Sequence, residues 1–138
     1  MGRTDPLPRD SLIGVHVLVV DDDADARHIF RTILQYCGAL VTTATTAREA
    51  LTVLGRVVPD VLVCDVVMPG HNGYWLLSEI RKLPPERGGA VPALACTGYS
   101  EDHAAERLSA AGFQMHLRKP IDPWALSRAI AALARQAL

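Results

Sequence analysis

Strand-like runs recur five times along the chain, and the polar residues that end them are not arbitrary. The first, residues 15–20, is β-branched and leucine-containing. It is continuous rather than alternating, as expected of a strand buried on both faces of a parallel sheet. It runs into Asp21-Asp22; the third run, 61–64, ends on Asp65; the fourth, 91–96, ends on Thr97; the fifth, 113–117, leads to Lys119-Pro120. If these runs lie parallel in one sheet, their C-terminal ends share an edge, and three carboxylates, a hydroxyl and an ammonium meet there. Such a rim suits a cation and a phosphoryl group.

Helical patterns fill the intervals. Over 24–37, Ile29, Phe30, Ile33, Leu34 and Cys37 repeat at helical spacing with Arg27, Arg31 and Gln35 on the other side, and Gly38 is a fitting stop. Residues 39–44 form the second strand, and Thr46-x-x-Glu49 has the form of a capping box opening a helix through Leu54. The loop at 69–73 precedes a helix with Leu76, Leu77, Ile80 and Leu83 inward, stopped by Pro84-Pro85. Ser100, with Glu101 and Asp102 in the first turn, opens a helix ending near Gly112, whose apolar stripe of Ala104, Ala105, Leu108 and Ala111 is thin. Asp122-Pro123 caps a last helix burying Leu126, Ala129, Ile130, Leu133 and Ala137. This βα alternation with right-handed crossovers predicts an α/β fold: a doubly wound, five-stranded parallel sheet in three α/β/α layers.

Length and composition bound the function. A chain of 138 residues suits one domain, expected over 14–137 after a flexible leader at 1–13. With 49% hydrophobic and 21% charged residues, disorder is excluded, and no apolar run approaches the roughly 20 residues that cross a bilayer. The first ten residues include Arg3, Asp5, Pro6, Pro8 and Arg9 and lack an apolar signal core, so a cytoplasmic location is expected. A net charge of −1 without a basic stripe gives no reason to expect nucleic-acid or membrane binding. Cys37, Cys64 and Cys96 are odd in number, widely spaced and set among apolar residues, so they read as small core hydrophobes rather than disulfide or zinc ligands. His16, His28, His71 and His103 lack metal-ligand spacing, and Trp75 and Trp124 read as partly buried helix anchors.

Within the rim each residue has a bland alternative. Asp23 is best read as a helix cap, whereas Asp22 suits a hard cation such as magnesium (or manganese), with Asp21 sharing the ion or a water. Asp65 could be a turn-forming Asx residue, which the following Val66-Val67 makes less attractive. As a carboxylate beside the other two it should have a raised pKa unless a cation neutralises the group, and it can carry a phosphoryl group as an aspartyl phosphate. Thr97, beside Gly98, can donate to a phosphoryl oxygen. Lys119 can pair with such oxygens rather than stand as a solvated surface lysine, and its bond to Pro120 is a candidate for cis.

The ordered motifs Val19-Val20-Asp21-Asp22, Asp65-Val66-Val67-Met68-Pro69-Gly70-His71-Asn72-Gly73, Ala95-Cys96-Thr97-Gly98-Tyr99 and Leu117-Arg118-Lys119-Pro120 resemble the receiver domain of two-component response regulators over about 14–137. Residues 94–99 and 112–117 are similar to receivers of hybrid sensor histidine kinases; with no effector segment after Gln136, a stand-alone receiver or one cut from such a kinase is expected. The resemblance implies a flavodoxin-like fold in which Asp65 accepts a phosphoryl group from a sensor histidine kinase or histidine phosphotransfer protein. It further implies that Asp22, Asp65 and the Val67 backbone carbonyl hold magnesium with Asp21 assisting, and that Thr97 and Lys119 bind phosphoryl oxygens. Such a protein is a phosphoacceptor rather than a metabolic enzyme, monomeric or a weak homodimer, signalling through residues 100–117 and the last helix to a downstream protein.

One position departs from the family. Three residues before the lysine, where an aromatic is usual, stands His116. Either it turns with Thr97 as the switch, bringing some pH sensitivity, or it is a fixed, half-buried strand histidine. Val67 and Tyr99 flank the expected phosphate and would restrict attacking water, favouring a long-lived aspartyl phosphate. The main alternative is a magnesium-dependent phosphohydrolase with an aspartyl nucleophile. That chemistry calls for an acid two residues after the nucleophile, where Val67 stands. A flavin-binding protein is the third reading, opposed by the acidic stretch 21–25 where a phosphate would sit.

Overall fold

The computed structural model describes residues 8–98 and 105–136. Its elements alternate: β1 (His16–Val20), α1 (Ala24–Tyr36), β2 (Leu40–Ala44), α2 (Ala47–Leu54), β3 (Val61–Asp65), α3 (Gly73–Arg81), a single 3-10 turn (Pro85–Arg87), β4 (Ala93–Thr97), α4 (Ala105–Ala111), β5 (Met115–Arg118) and α5 (Pro123–Gln136). All strand pairs are parallel, in the order β2-β1-β3-β4-β5, the flavodoxin-like arrangement whose switch point lies between β1 and β3.

Period-two alternation lets each central strand feed two cores. Val17, Val19, Val61, Val63, Leu94 and Cys96 pack against α1 and α5, while Leu18, Val20, Leu62, Cys64, Ala93 and Ala95 pack against α2, α3 and α4. Continuous burial in β1, β3 and β4 is thus the signature of helices on both faces. All three cysteines are buried and free.

Helix starts follow their caps. Asp23 accepts from Asp25 N–H at 3.3 Å, as its reading as a cap required. Thr46 Oγ1 accepts from Glu49 N–H at 3.0 Å, and the Glu49 carboxylate reaches back to the Thr45 N–H. The Asp122 carboxylate accepts from Trp124 and Ala125 N–H. The expected Ser100 cap, Glu101, Asp102, His103, Ala104, Tyr99 and Ala137 lie outside the described residues.

Some expectations change. Ile29, assigned to the inward stripe of α1, is 52% exposed. At about 100° per residue it sits roughly 90° from the centre of the stripe formed by Phe30, Ile33, Leu34 and Cys37. By the same geometry Arg27 lies on the flank of that stripe and not opposite it. It is half-buried, and its guanidinium turns back onto the Asp21 carbonyl just past β1. Leu12, in the segment expected as a leader, is fully buried among the α1 and α5 core residues, and its N–H donates to the Cys37 carbonyl at 2.8 Å. In α4 only Leu108 of the described stripe is buried; Ala105 is exposed and Ala111 half-buried.

Candidate functional site

Strand register assembles the rim. Val20 pairs with Cys64, so Asp21 and Asp65 are the next residues on adjacent strands; Asp65 pairs with Cys96, which sets Thr97 one step beyond; Thr97 pairs with Arg118, which sets Lys119 after it. The Lys119 N–H donates to the Thr97 carbonyl at 2.8 Å, and the Lys119-Pro120 bond is cis. Asp21, Asp65 and Thr97 are buried, whereas Asp22 and Val67 are exposed.

Ligand oxygens of Asp21, Asp22 and Asp65 all lie within 4.8 Å of one another. Lys119 Nζ reaches both buried acids, at 2.8 Å from Asp21 Oδ2 and 3.4 Å from Asp65 Oδ2. The Asp65 carboxyl is raised from 3.8 to about 6. Burial is the larger cause; Lys119 opposes it, and repulsion from Asp21 adds to it. Like charge, the cause expected from the sequence, is therefore the lesser one. Burial alone depresses the Lys119 ammonium, but its bond to Asp21 and the charges of both acids outweigh that, so its pKa is raised.

The loop after β3 is built around Asp65. Its Oδ1 accepts from Val67 N–H at 3.3 Å, an Asx-type bond. The turn-forming role set aside on sequence grounds is thus present in addition to a place in the acidic cluster. Asn72 caps α3 through Trp75 N–H at 2.9 Å. Gly73 opens that helix with its N–H on the Val66 carbonyl at 2.8 Å, and a Cβ there would stand 2.8 Å from the Asp65 carbonyl oxygen and 3.0 Å from Val66 Cα. Glycine is required because α3 begins against the back of the strand end that carries Asp65.

Contacts therefore join Asp21, Asp22, Asp65 and Lys119, register adds Thr97, and a backbone bond adds Val67. His116 is not among them: it pairs with Ala95, short of the rim, and its side chain is exposed, which corrects the half-buried reading. Of the other histidines, His16 Nε2 bonds Thr42 Oγ1 at 2.8 Å, and His71 stacks on the half-buried Trp75 at 3.7 Å. Arg27, whose Nη1 donates to the Asp21 carbonyl at 2.7 Å, was missed in the sequence. Its spacing suits a solvated helix face, and nothing local marks a guanidinium that folds back six residues.

The family profile of the response regulator receiver domain matches residues 17–131, nearly the whole sheet and all its rim residues. The chain belongs to the response regulator receiver domain family. An uncharacterized 14.6 kDa protein of Leptolyngbya boryana is 41% identical to this receiver over 120 residues, covering 87% of this chain and 90% of that protein. Response regulator SaeR of Staphylococcus aureus is 31% identical over 108 residues, 78% of this chain and 45% of SaeR, so the receiver spans under half the length of that relative. Among solved structures, chemotaxis protein CheY4 of Vibrio cholerae superposes with a TM-score of 0.78 at 28% identity, over 86% of this chain and 98% of that one.

Receiver domains bind Mg2+ through an acidic pocket, and the donor set of this one fits. Three carboxylates from two strand ends offer hard oxygens, and one of them, Asp22, is exposed where an ion keeping several waters would sit. No helix among the described residues is long and apolar enough to cross a membrane.

Proposed function

We propose that this protein is a phosphoacceptor in two-component or phosphorelay signalling, in which Asp65 takes a phosphoryl group from the phosphohistidine of a sensor histidine kinase or histidine phosphotransfer protein. The observation that carries the reading is Asp65 at the end of β3, 7% exposed, with an ammonium at 3.4 Å and two further carboxylates beside it. An Asp65 carboxylate oxygen attacks phosphorus in line, the P–N bond to imidazole breaks, and its electron pair leaves with the ring. Lys119 Nζ and the Thr97 hydroxyl take up charge on the phosphoryl oxygens. Asp22, Asp65 and the Val67 carbonyl, assisted by Asp21, would hold Mg2+, which when bound offsets the charge of the incoming phosphoryl group. Attack requires ionised Asp65; burial raises its carboxyl to about 6 without a metal, so a bound cation would also favour the reactive form.

Lys119 then has two states. Without a phosphoryl group it closes on Asp21 at 2.8 Å; with one it gains a more highly charged partner on Asp65 and turns toward it. Thr97 moves to the same oxygens, and the change passes to the face of α4, β5 and α5, where His116 lies. The receiver unit over 14–137 is cytoplasmic and catalyses only its own phosphorylation and slow dephosphorylation, as a monomer or weak homodimer, with the exposed Val67 limiting water at the phosphate.

Incubation with Mg2+ and acetyl phosphate or phosphoramidate, followed by intact mass, tests this. Wild type gains one phosphoryl group and Asp65→Asn gains none. Equal labelling of both would overturn the assignment, and repeated turnover of simple phosphomonoesters would favour the phosphohydrolase.

A further inference from the structure

Two adjacent carboxylates in the acidic cluster are held in very different ways. Asp21 is fixed at every polar atom: Oδ1 accepts from Asp23 N–H at 2.9 Å, Oδ2 from Lys119 at 2.8 Å, and its N–H donates to the Ala44 carbonyl at 3.1 Å. Asp22 is exposed, and its carboxylate makes no hydrogen bond or ion pair among the described residues. Its direction therefore comes from the peptide that leads into it. The carbonyl of that peptide is Asp21 O, which accepts from Arg27 Nη1 at 2.7 Å across the first turn of α1.

We propose that Arg27 is a positioning residue for the cation: by gripping the Asp21 carbonyl it fixes the plane of the Asp21-Asp22 peptide and aims the Asp22 carboxylate into the cluster. The inference rests on the reading of that cluster as the seat of a divalent ion. Arginine suits the task because its guanidinium stays charged and its donors are set in a rigid plane, so a half-buried side chain holds one carbonyl at little conformational cost. It also occupies that carbonyl, leaving the carboxylates and the loop after β3 to provide oxygens.

Two effects of opposite sign attend a cation beside a cation seat. Repulsion weakens ion binding, whereas a pre-aimed carboxylate strengthens it by sparing the ion the cost of ordering that ligand. The inference is that aiming wins, which makes the sign of the Arg27 effect decisive.

Mn2+ binding to the unphosphorylated full chain, followed by electron paramagnetic resonance with Mg2+ as competitor, reads it directly. Arg27→Met weakens Mn2+ about tenfold, and Arg27→Lys, a point donor on a flexible stem, about threefold. In an Asp22→Asn background Arg27→Met has no further effect, because the residue it aims is gone; general loosening of the loop would weaken binding there too. Unchanged or tighter Mn2+ binding in folded Arg27→Met, or in Arg27→Lys should the first variant not fold, overturns the inference. So does full additivity with Asp22→Asn. Wild type that binds no divalent ion would instead strike the reading of the cluster itself.

Discussion

The two sides of the sheet are built to different tolerances. At β1 and β3 every residue but His16 is buried, helices press on both faces, and the polar atoms at the strand ends are tied to named partners. At one edge β5 buries none of its four residues fully, and α4 sends only Leu108 into the core among the described residues. The turn between them is tied to β4 by Gln114, which exchanges bonds with Ala93 at 2.7 and 3.0 Å, and to α3 by Arg81, which donates to the Gly112 carbonyl at 2.8 Å. Chemistry that needs atoms placed to within tenths of an ångström sits on the stiff side. The α4 and β5 part of the face proposed to answer it sits where little apolar contact must be broken to move.

The largest expected effect that could break this contrast is in hydrogen exchange. Amides of β1 and β3 should exchange about a thousandfold more slowly than those of α4 and β5. Comparable protection on both sides would mean that the α4 and β5 face opens only with the whole domain.

Next comes the cost of placing an acid on the stiff side. A folded-state pKa raised from 3.8 to about 6 means that the folded protein holds the Asp65 proton more tightly than the unfolded chain. Stability should therefore fall as pH rises from about 4 to about 6 and stay low above that. In the presence of a chelator, Asp65→Asn should be more stable than wild type at pH 7.5 by up to about 3 kcal/mol, with the difference vanishing near pH 4, as urea titrations at the two pH values would measure. A gain independent of pH would place the cause elsewhere.

Lys119 offsets part of that cost. Lys119→Met leaves Asp21, 1% exposed, without its ammonium and should cost roughly 2 kcal/mol at neutral pH, less than for a fully enclosed pair because the lysine is 26% exposed. The smallest effect belongs to the loose edge. His116→Ala should change stability by no more than about 0.5 kcal/mol, since its side chain is exposed. A larger loss would show β5 to be held as firmly as β3.

Much of this was readable from the chain itself, and for a physical reason. Strands buried on both faces leave continuous runs, and a parallel sheet puts their ends on one edge, so Asp21, Asp65, Thr97 and Lys119 were found as run-terminating residues. Caps such as Asp23 and Thr46 were legible because they act within three residues. Arg27 and Arg81 were not, because each bonds a backbone carbonyl, which carries no side-chain identity, at a distance no periodicity encodes. Leu12 and Ile29 erred in opposite directions: a buried residue lay in a proline-containing leader, and an exposed one lay at the margin of a stripe whose width only packing decides.

Gly73 has a consequence for variation in this chain. A methyl group there has nowhere to go except against the main chain of residues 65 and 66, so Gly73→Ala would lever the strand end that carries Asp65 outward. In-line attack tolerates little misplacement, with roughly a hundredfold lost for 1 Å. One absent side chain, eight positions downstream, thereby sets the aim of the proposed nucleophile.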